Sequence, residues 1–288
     1  MRSRRTKDTR HLMALPKAVR VEVGRVDFVL NLCRGKTVLH LGCADEGLTA
    51  ERLAAGSLMH MRLMQGAKEV WGVDFSREAI TKLRALGIPN LVLANVEQLS
   101  EVDELRGKRF DLIVASEIIE HLSNPGLFLD SARQLLEDAG AAMVVTVPNA
   151  FKATSLRYSL KGLEYVHPDH VCWYSCATIV SLLSRHGYDI QDMRVYSFFD
   201  HRMGFRDRLL KALRAISSRI RDRHPPRAPG ETTSEARTSA RQATVGWVQQ
   251  LAELAARRLL YKLNPFLADG IIAVVKPGKT CQTGERAK

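Results

Sequence analysis

The chain has 288 residues, of which 45% are hydrophobic, and a formal net charge of +12 at pH 7. This length and composition predict a globular protein with one substantial core and additional segments. No run of about 18 uninterrupted apolar residues occurs, so we expect no membrane-spanning helix. The basic N-terminus lacks a signal-peptide apolar region, and the five cysteines are irregularly spaced. We therefore expect a cytoplasmic protein without a disulfide framework.

The positive charge is concentrated at the two ends of the chain. Residues 1–20 carry a net charge of +6 and residues 201–288 a net charge of +11, whereas the eighteen basic and twenty-three acidic residues of segment 21–200 give −5. A mildly acidic central segment argues against a nucleic-acid backbone as its ligand. Nucleic acid is therefore the less favoured partner.

Charge and hydrophobic pattern predict five parts: a basic extension (1–20), a core (21–200), a basic helical insertion with a flexible linker (201–266), a final core strand (267–277) and a tail (278–288). Within the insertion, residues 203–220 combine an apolar stripe with basic residues, as in helices that lie on a membrane surface. Packing of the same stripe on the domain or on a second subunit is the favoured interpretation. Peripheral membrane contact through 203–220 therefore stays an alternative, and the oligomeric state is not predicted.

Apolar runs and turn residues predict alternating helices and strands along the core. A helix over residues 20–31 precedes a first strand at 38–41, and a helix over 48–65 is interrupted at Gly56. Further strands are predicted at 69–74, 91–93, 110–116, 141–149, 188–199 and 269–276, with helices over 76–86, 125–137 and 177–186. The alternation predicts an α/β fold with a mostly parallel sheet, whose last two strands pair antiparallel at its edge.

The turn after the first strand carries the strongest functional signal. Gly42 and Gly47 have the spacing of a P-loop, yet Leu48 stands where that loop needs a lysine. Ala44 stands where a dinucleotide-binding turn needs its second glycine. Asp45 would repel a phosphate but suits a sulfonium or an ammonium group. These residues favour S-adenosylmethionine as the cofactor.

Two later strand ends fit the same cofactor. Asp74 ends the second strand, where a carboxylate can accept hydrogen bonds from ribose hydroxyls. Ser76 is the better cap for the next helix, and this interpretation leaves Asp74 free for the ligand. Asn95 and Val96 follow the third strand, where they could contact the adenine amino group and ring.

Five segments resemble, in order and spacing, those of class I S-adenosylmethionine-dependent methyltransferases, especially the ubiquinone-biosynthesis-methyltransferase-like branch. They read VLHLGCAD (38–45), WGVD (71–74), ANVE (94–97), FDLIVASEIIEHL (110–122) and VVTVPN (144–149). The likeness spans about residues 35–199 and the final strand. His40, Ala44 and Glu46 depart from the family's usual acidic residue and two glycines.

The resemblance implies a Rossmann-like, seven-stranded, mostly parallel sheet of order 3-2-1-4-5-7-6, with helices on both faces and a helical insertion before the last strand. It also implies a cofactor site at the carboxyl ends of the strands. The predicted cofactor-binding residues are Gly42, Cys43, Ala44, Asp45, Asp74, Phe75, Asn95, Val96, Ser116 and Glu117.

The predicted reaction is methyl transfer to an oxygen of a small-molecule, lipid-linked or glycan acceptor. His121, with Glu120 beside it, is the candidate general base, although a histidine there could instead hold the start of a helix. Glu117, Glu120, His121 and His170 also resemble the divalent-metal set of small-RNA 2′-O-methyltransferases. That pattern is common as plain scaffold, so a metal is possible but not favoured. An RNA 2′-O-methyltransferase and a non-catalytic cofactor-binding scaffold remain the alternatives.

Overall fold

The computed structural model describes residues 3–5, 11–13, 20–45, 47, 49–137, 141–197 and 264–278. The chain divides into two compact units, residues 1–197 with 266–288 and residues 198–265. The described residues belong almost entirely to the first unit. Several predictions lie outside them: the apolar stripe at 203–220, most of the insertion, and the positions of Glu46, Leu48 and Gly140.

Strands and helices alternate along most of the first unit. The strands are β1 (Ser3–Arg5), β2 (His11–Met13), β3 (Arg20–Val23), β4 (Thr37–Leu41), β5 (Glu69–Asp74), β6 (Leu91–Leu93), β7 (Leu112–Ser116), β8 (Ala142–Pro148), β9 (Tyr188–Ser197) and β10 (Gly270–Pro277). The helices are α1 (Arg25–Cys33), α2 (Thr49–Ala54), α3 (Met59–Met64), α4 (Arg77–Ala85), α5 (Pro125–Glu137), α6 (Ala153–Ser159) and α7 (Cys176–Arg185). Short 3-10 turns cover Val96–Glu101, Asp103–Leu105, Ile119–His121 and Pro265–Leu267.

The main sheet has the order β3-β9-β10-β8-β7-β4-β5-β6. Strand β10 runs antiparallel to both of its neighbours, and the other pairs are parallel. Counted from β4 along the chain, the seven strands predicted from the sequence lie in the order 3-2-1-4-5-7-6, which confirms the expected fold. The short strands β1 and β2 form a separate antiparallel pair.

The helix predicted over residues 20–31 is wrong in its first third. Residues Arg20–Val23 form β3, which pairs parallel with β9 and adds an eighth strand to the sheet. Gly24, with a φ of +93°, separates this strand from α1. Without β3, strand β9 would expose its unpaired backbone groups at the sheet edge, and these long-range hydrogen bonds override the helical spacing of the apolar residues.

The remaining elements agree with the sequence in type and within a few residues at their ends. The predicted interruption at Gly56 separates α2 from α3, and the Ser76 side chain caps α4 by accepting a hydrogen bond from the Ala79 N–H at 3.4 Å. Helix α6 and the strand pair β1 and β2 were not predicted. No helix among the described residues combines the length and the apolar character that crossing a bilayer requires.

A buried cluster fixes one face of the sheet against helices α1 and α3. It includes strand residues Val38, Val70, Leu112, Val114, Val144 and Ile272 together with Val29, Cys33 and Leu63 from the helices. Strands buried in this way are near-continuous in apolar residues. Because β4 to β8 are parallel, their carboxyl ends meet at one edge, and the polar residues that follow them gather there.

Candidate functional site

The turn after β4 is held against β5 by its backbone. The N–H groups of Gly42 and Cys43 donate to the Val73 carbonyl at 2.9 and 3.2 Å. Gly42 has a φ of +67°, and a Cβ there would lie 3.2 Å from Ile118 Cδ1. The position therefore needs glycine both for its left-handed backbone and for the close approach of Ile118.

Asp74 anchors this turn from the end of β5. Its Oδ2 accepts from the Ala44 N–H at 2.9 Å, and its Oδ1 accepts from the Ser76 N–H at 3.0 Å. Ser76 caps α4 as predicted, but Asp74 is not left free, because both oxygens already hold backbone groups. Each carboxylate oxygen has a second lone pair, which a ribose hydroxyl could still use.

Asp45 occupies a left-handed backbone position with a φ of 55°. Its Oδ2 lies 2.6 Å from Arg52 Nε, and the Thr49 hydroxyl donates to the Ala44 carbonyl at 2.6 Å. Burial raises the pKa of Asp45, against the opposing effect of Arg52. The carboxylate proposed to suit a cationic ligand is thus already paired with an arginine.

The residues predicted to contact adenosine follow β5 and β6. The Phe75 side chain is 72% exposed directly after Asp74. Asn95 is also exposed, and its Oδ1 caps the next turn by accepting from the Glu97 N–H at 3.0 Å. Val96 is buried. An exposed ring and an exposed amide nitrogen are therefore available at this edge.

At the end of β7, Ser116 and Glu117 belong to a network with Arg25, Thr146 and Tyr196. Arg25 Nη1 donates to the Ser116 hydroxyl at 2.8 Å and lies 3.5 Å from Glu117 Oε1. The same Oε1 accepts from the Tyr196 hydroxyl at 2.9 Å and from the Thr146 hydroxyl at 3.0 Å. These contacts hold Glu117 in a left-handed backbone conformation, with a φ of 54°, which is costly for a residue other than glycine.

Glu120 faces the protein interior and is only 1% exposed. Neither of its carboxylate oxygens has a hydrogen-bond partner among the described residues. Burial, followed by the charge of Glu117, raises the pKa of Glu120 to about 9. The side chain is therefore protonated at neutral pH, which does not suit the proton-accepting role predicted beside His121.

The backbone of Glu120 has a separate structural task. Its carbonyl accepts from the N–H groups of Val171 and Cys172 at 2.9 and 3.2 Å. These bonds tie the loop between α6 and α7 to the Ile119–His121 turn. Two histidines of that loop, His167 and His170, consequently lie beside His121.

The three imidazoles form one cluster. Their ring centroids are 4.6 Å apart between His121 and His170, 5.2 Å between His167 and His170, and 5.8 Å between His121 and His167. Burial lowers the pKa of His121, and burial together with the neighbouring imidazoles lowers the pKa of His170 to about 4. Both rings are neutral near pH 7. Of the predicted metal set, His121 and His170 are together, whereas Glu117 and Glu120 lie outside this cluster.

Lys152 lies beside two aromatic rings, and its charge, after burial and the neighbouring imidazoles, contributes to lowering the pKa of His170. Its Nζ is 5.1 Å from the ring centre of Tyr165 and 5.9 Å from that of Trp173. Burial lowers the pKa of Lys152. The side chain offers a cation flanked by two aromatic rings.

Sequence reasoning missed Arg25, Thr146 and Tyr196 as site residues. Arg25 is 91 residues from Ser116, and Tyr196 is 79 residues from Glu117. No local motif signals such contacts. His167 had a detectable signal, since it shares the His-x-x-His spacing with His170.

Parts of the chain are similar in sequence to known methyltransferases. A family model described as a methyltransferase domain matches residues 18–192. A ubiquinone biosynthesis O-methyltransferase of Glaesserella parasuis is 27% identical over 46% of this chain and 53% of its own length. The protein of that name from Alkalilimnicola ehrlichii is 30% identical over 49% of this chain and 54% of its own length.

The chain thus spans about half the length of the curated relatives it matches. A solved S-adenosylmethionine-dependent methyltransferase from Mesorhizobium loti has a TM-score of 0.45 and 14% identity over 88% of this chain and 98% of that chain. Because the family model covers more than half of the chain, the chain belongs to the methyltransferase-domain family, and its sheet has the strand order that the resemblance to class I S-adenosylmethionine-dependent methyltransferases implied.

Proposed function

We propose that this protein transfers a methyl group from S-adenosylmethionine to a hydroxyl oxygen of a small-molecule, lipid-linked or glycan acceptor. The observation that carries the proposal is the order of groups after β7. The charged network at Ser116 and Glu117 is followed directly by the Ile119–His121 turn and its cluster of imidazoles. The names of the relatives, which are O-methyltransferases, support the choice of oxygen.

The residues at the strand ends fit S-adenosylmethionine. Gly42 gives the turn after β4 its left-handed backbone and its close packing against Ile118, and Phe75 presents an exposed ring for the adenine. Arg25 and Glu117 offer opposite charges for the carboxylate and the ammonium of the methionine portion. When bound, the cofactor supplies an electrophilic methyl group on a sulfonium. Asp74 would hold the ribose while it keeps the turn after β4 in place.

The contribution of the protein is to align the acceptor and to take its proton. Alignment of reacting groups can supply on the order of 7–11 kcal/mol of the barrier reduction. His121 is neutral near pH 7, because burial lowers its pKa, and can accept the proton of a hydroxyl. Glu120 supports this step indirectly, since its backbone carbonyl fixes the loop that carries His167 and His170.

The acceptor side of the site favours an aromatic or anionic hydroxyl compound. Tyr165 and Trp173 are exposed rings, and Lys152 places a cation over both. Rings of this kind can stack on an aromatic acceptor, and the ammonium can pair with a carboxylate or phenolate.

The test is incubation of the purified chain with methyl-labelled S-adenosylmethionine and fractionated cell extract, followed by mass spectrometry of labelled products. We expect a methoxy group on a small molecule, lipid or glycan. His121→Gln should reduce labelling by about 10²–10⁴-fold while binding of S-adenosylhomocysteine is retained. His186→Gln, at a histidine paired with Asp130 at 2.7 Å outside the cluster, is the matched control and should retain activity.

Other outcomes would contradict the proposal. Label in ribonuclease-sensitive material would support an RNA 2′-O-methyltransferase instead. Binding of S-adenosylhomocysteine by calorimetry, without label in any fraction, would support a non-catalytic scaffold.

A further inference from the structure

We infer that His121, His167 and His170 form a binding site for a divalent transition-metal ion of the zinc type. In the described part of the chain, these three side chains each offer one ligand atom, and the three atoms lie within 4.8 Å of one another. His121 ends the Ile119–His121 turn, and the other two come from the loop before α7. The inference concerns ion binding and does not depend on the acceptor proposed above.

The distances between the three ligand atoms are close to those found around a bound ion. Zinc binds imidazole nitrogens at about 2.0–2.1 Å, so two nitrogens on one ion are at most about 4.2 Å apart. The upper bound of 4.8 Å between ligand atoms exceeds this by about 0.6 Å. His121 and His167 are exposed, and small rotations of their side chains close the difference without moving the backbone.

Asp169 orients two of the three rings. A ring nitrogen of His121 makes a hydrogen bond to the Asp169 backbone, and the Asp169 N–H donates to His167 Nδ1 at 3.3 Å. Metal-binding histidines commonly donate their second ring N–H to a carbonyl or carboxylate, and the bond of His121 to the Asp169 backbone is of this kind. The Asp169 carboxylate also offsets part of the charge that an ion would bring.

The composition of the cluster decides which ion fits. Glu117 lies outside it, and its Oε1 is already bound by Thr146 and Tyr196. A set of nitrogen ligands suits zinc, copper or nickel, whereas magnesium and calcium prefer oxygen. Three protein ligands also leave a fourth position for water or another oxygen, as in catalytic zinc sites.

One consequence does rest on the proposed function. An ion at this cluster would polarise an acceptor hydroxyl and lower its pKa. His121 would then serve as a ligand, and its role as proton acceptor would apply only to the metal-free protein. A failure of ion binding would overturn the inference while leaving methyl transfer intact.

The experiment uses the full chain, freed of metal with a chelator and then titrated with Zn²⁺ by calorimetry and with Co²⁺ by visible absorption. We expect one ion per chain, a cobalt spectrum typical of nitrogen and oxygen ligands, and no competition by Mg²⁺. His167→Gln and His170→Gln should each weaken Zn²⁺ binding by at least about 10–100-fold, the loss that even an outer ligand partner causes. His167 is exposed, so its substitution does not threaten folding.

His186→Gln is the matched control and should bind Zn²⁺ like the unaltered chain. The inference is overturned if Zn²⁺ does not bind, if both cluster variants bind it with unchanged affinity, or if the cobalt spectrum shows thiolate charge transfer. The last result would move the ion to cysteine.

Discussion

A buried pair of histidines beneath the cofactor turn makes stability depend on pH. His40 of β4 is 3% exposed and His60 of α3 is 0% exposed. Their Nδ1 atoms are 3.3 Å apart, and the rings are stacked with centroids 5.6 Å apart. Burial lowers the pKa of His60 to about 4, and burial with the repulsion of His60 lowers the pKa of His40 well below its usual value.

The sign of the effect follows from proton binding. In the unfolded chain His60 titrates near its usual value of 6.5, whereas the folded chain resists its protonation until about pH 4. Below pH 6.5 the unfolded state therefore binds more protons than the folded state, and stability is lost as the pH falls. For His60 alone, the free energy of unfolding decreases by about 2.5 kcal/mol by about pH 4.5.

The substitution His60→Leu keeps an apolar volume and removes this titration. Between about pH 7.5 and pH 4.5, we expect the free energy of unfolding of the variant to fall by about 2.5 kcal/mol less than that of the unaltered chain. Urea unfolding followed by tryptophan fluorescence measures this difference. Leu160→Ala is the control, because that side chain is exposed and carries no ionisable group; its effect should be the same at both pH values. A difference between the unaltered chain and His60→Leu that does not change with pH would refute the reasoning.

Three further predictions separate folding from binding. Gly72→Ala places a Cβ 2.7 Å from Cys43 Sγ, so overpacking should cost about 1–3 kcal/mol in urea unfolding; an unchanged midpoint would contradict this. Tyr196→Phe removes the hydroxyl that donates to Glu117 Oε1 and should cost about 1–3 kcal/mol in the same assay, whereas a stabilised variant would argue against that hydrogen bond. Phe75→Ala alters an exposed ring and should change the free energy of unfolding by less than about 0.5 kcal/mol. Calorimetry should show weaker binding of S-adenosylhomocysteine, and unaltered affinity would remove Phe75 from the cofactor site.

Much of the fold was predictable because its strands are locally distinct. Buried parallel strands are short apolar runs bounded by glycine, proline or polar turns, and β4 to β8 all have that form. The strand β3 was not predictable in the same way. Its four residues continue into the apolar spacing of α1, and only pairing with β9, about 170 residues away, makes them a strand.

The candidate site was predictable only in part, for a related reason. Residues at or directly after strand ends, such as Asp74, Ser116 and Gly42, could be located because the ends of parallel strands share one edge. Their hydrogen-bond partners could not. Asp74 was expected to be free for a ligand, yet it holds two backbone N–H groups, because the turn after β4 folds back on β5. Arg25 reaches the same site from a helix that precedes the first core strand.

The distribution of charge at the strand ends explains why imidazoles, rather than carboxylates, remain for the chemistry. Asp45 is paired with Arg52, and Asp74 holds two backbone N–H groups. Glu117 is bound within the Arg25 network, and burial keeps Glu120 protonated by raising its pKa to about 9.

Each of the four carboxylates predicted for the site is therefore neutralised or engaged in the fold. The histidine cluster at 121, 167 and 170 differs, because each ring offers a nitrogen atom and the three atoms lie within 4.8 Å of one another. Neutral nitrogen bases can take a proton from a hydroxyl or bind a soft divalent ion. Substitution of His170 should therefore reduce methyl transfer or ion binding more than it reduces cofactor binding. Substitution of Arg25 should reduce cofactor binding more than it reduces methyl transfer or ion binding.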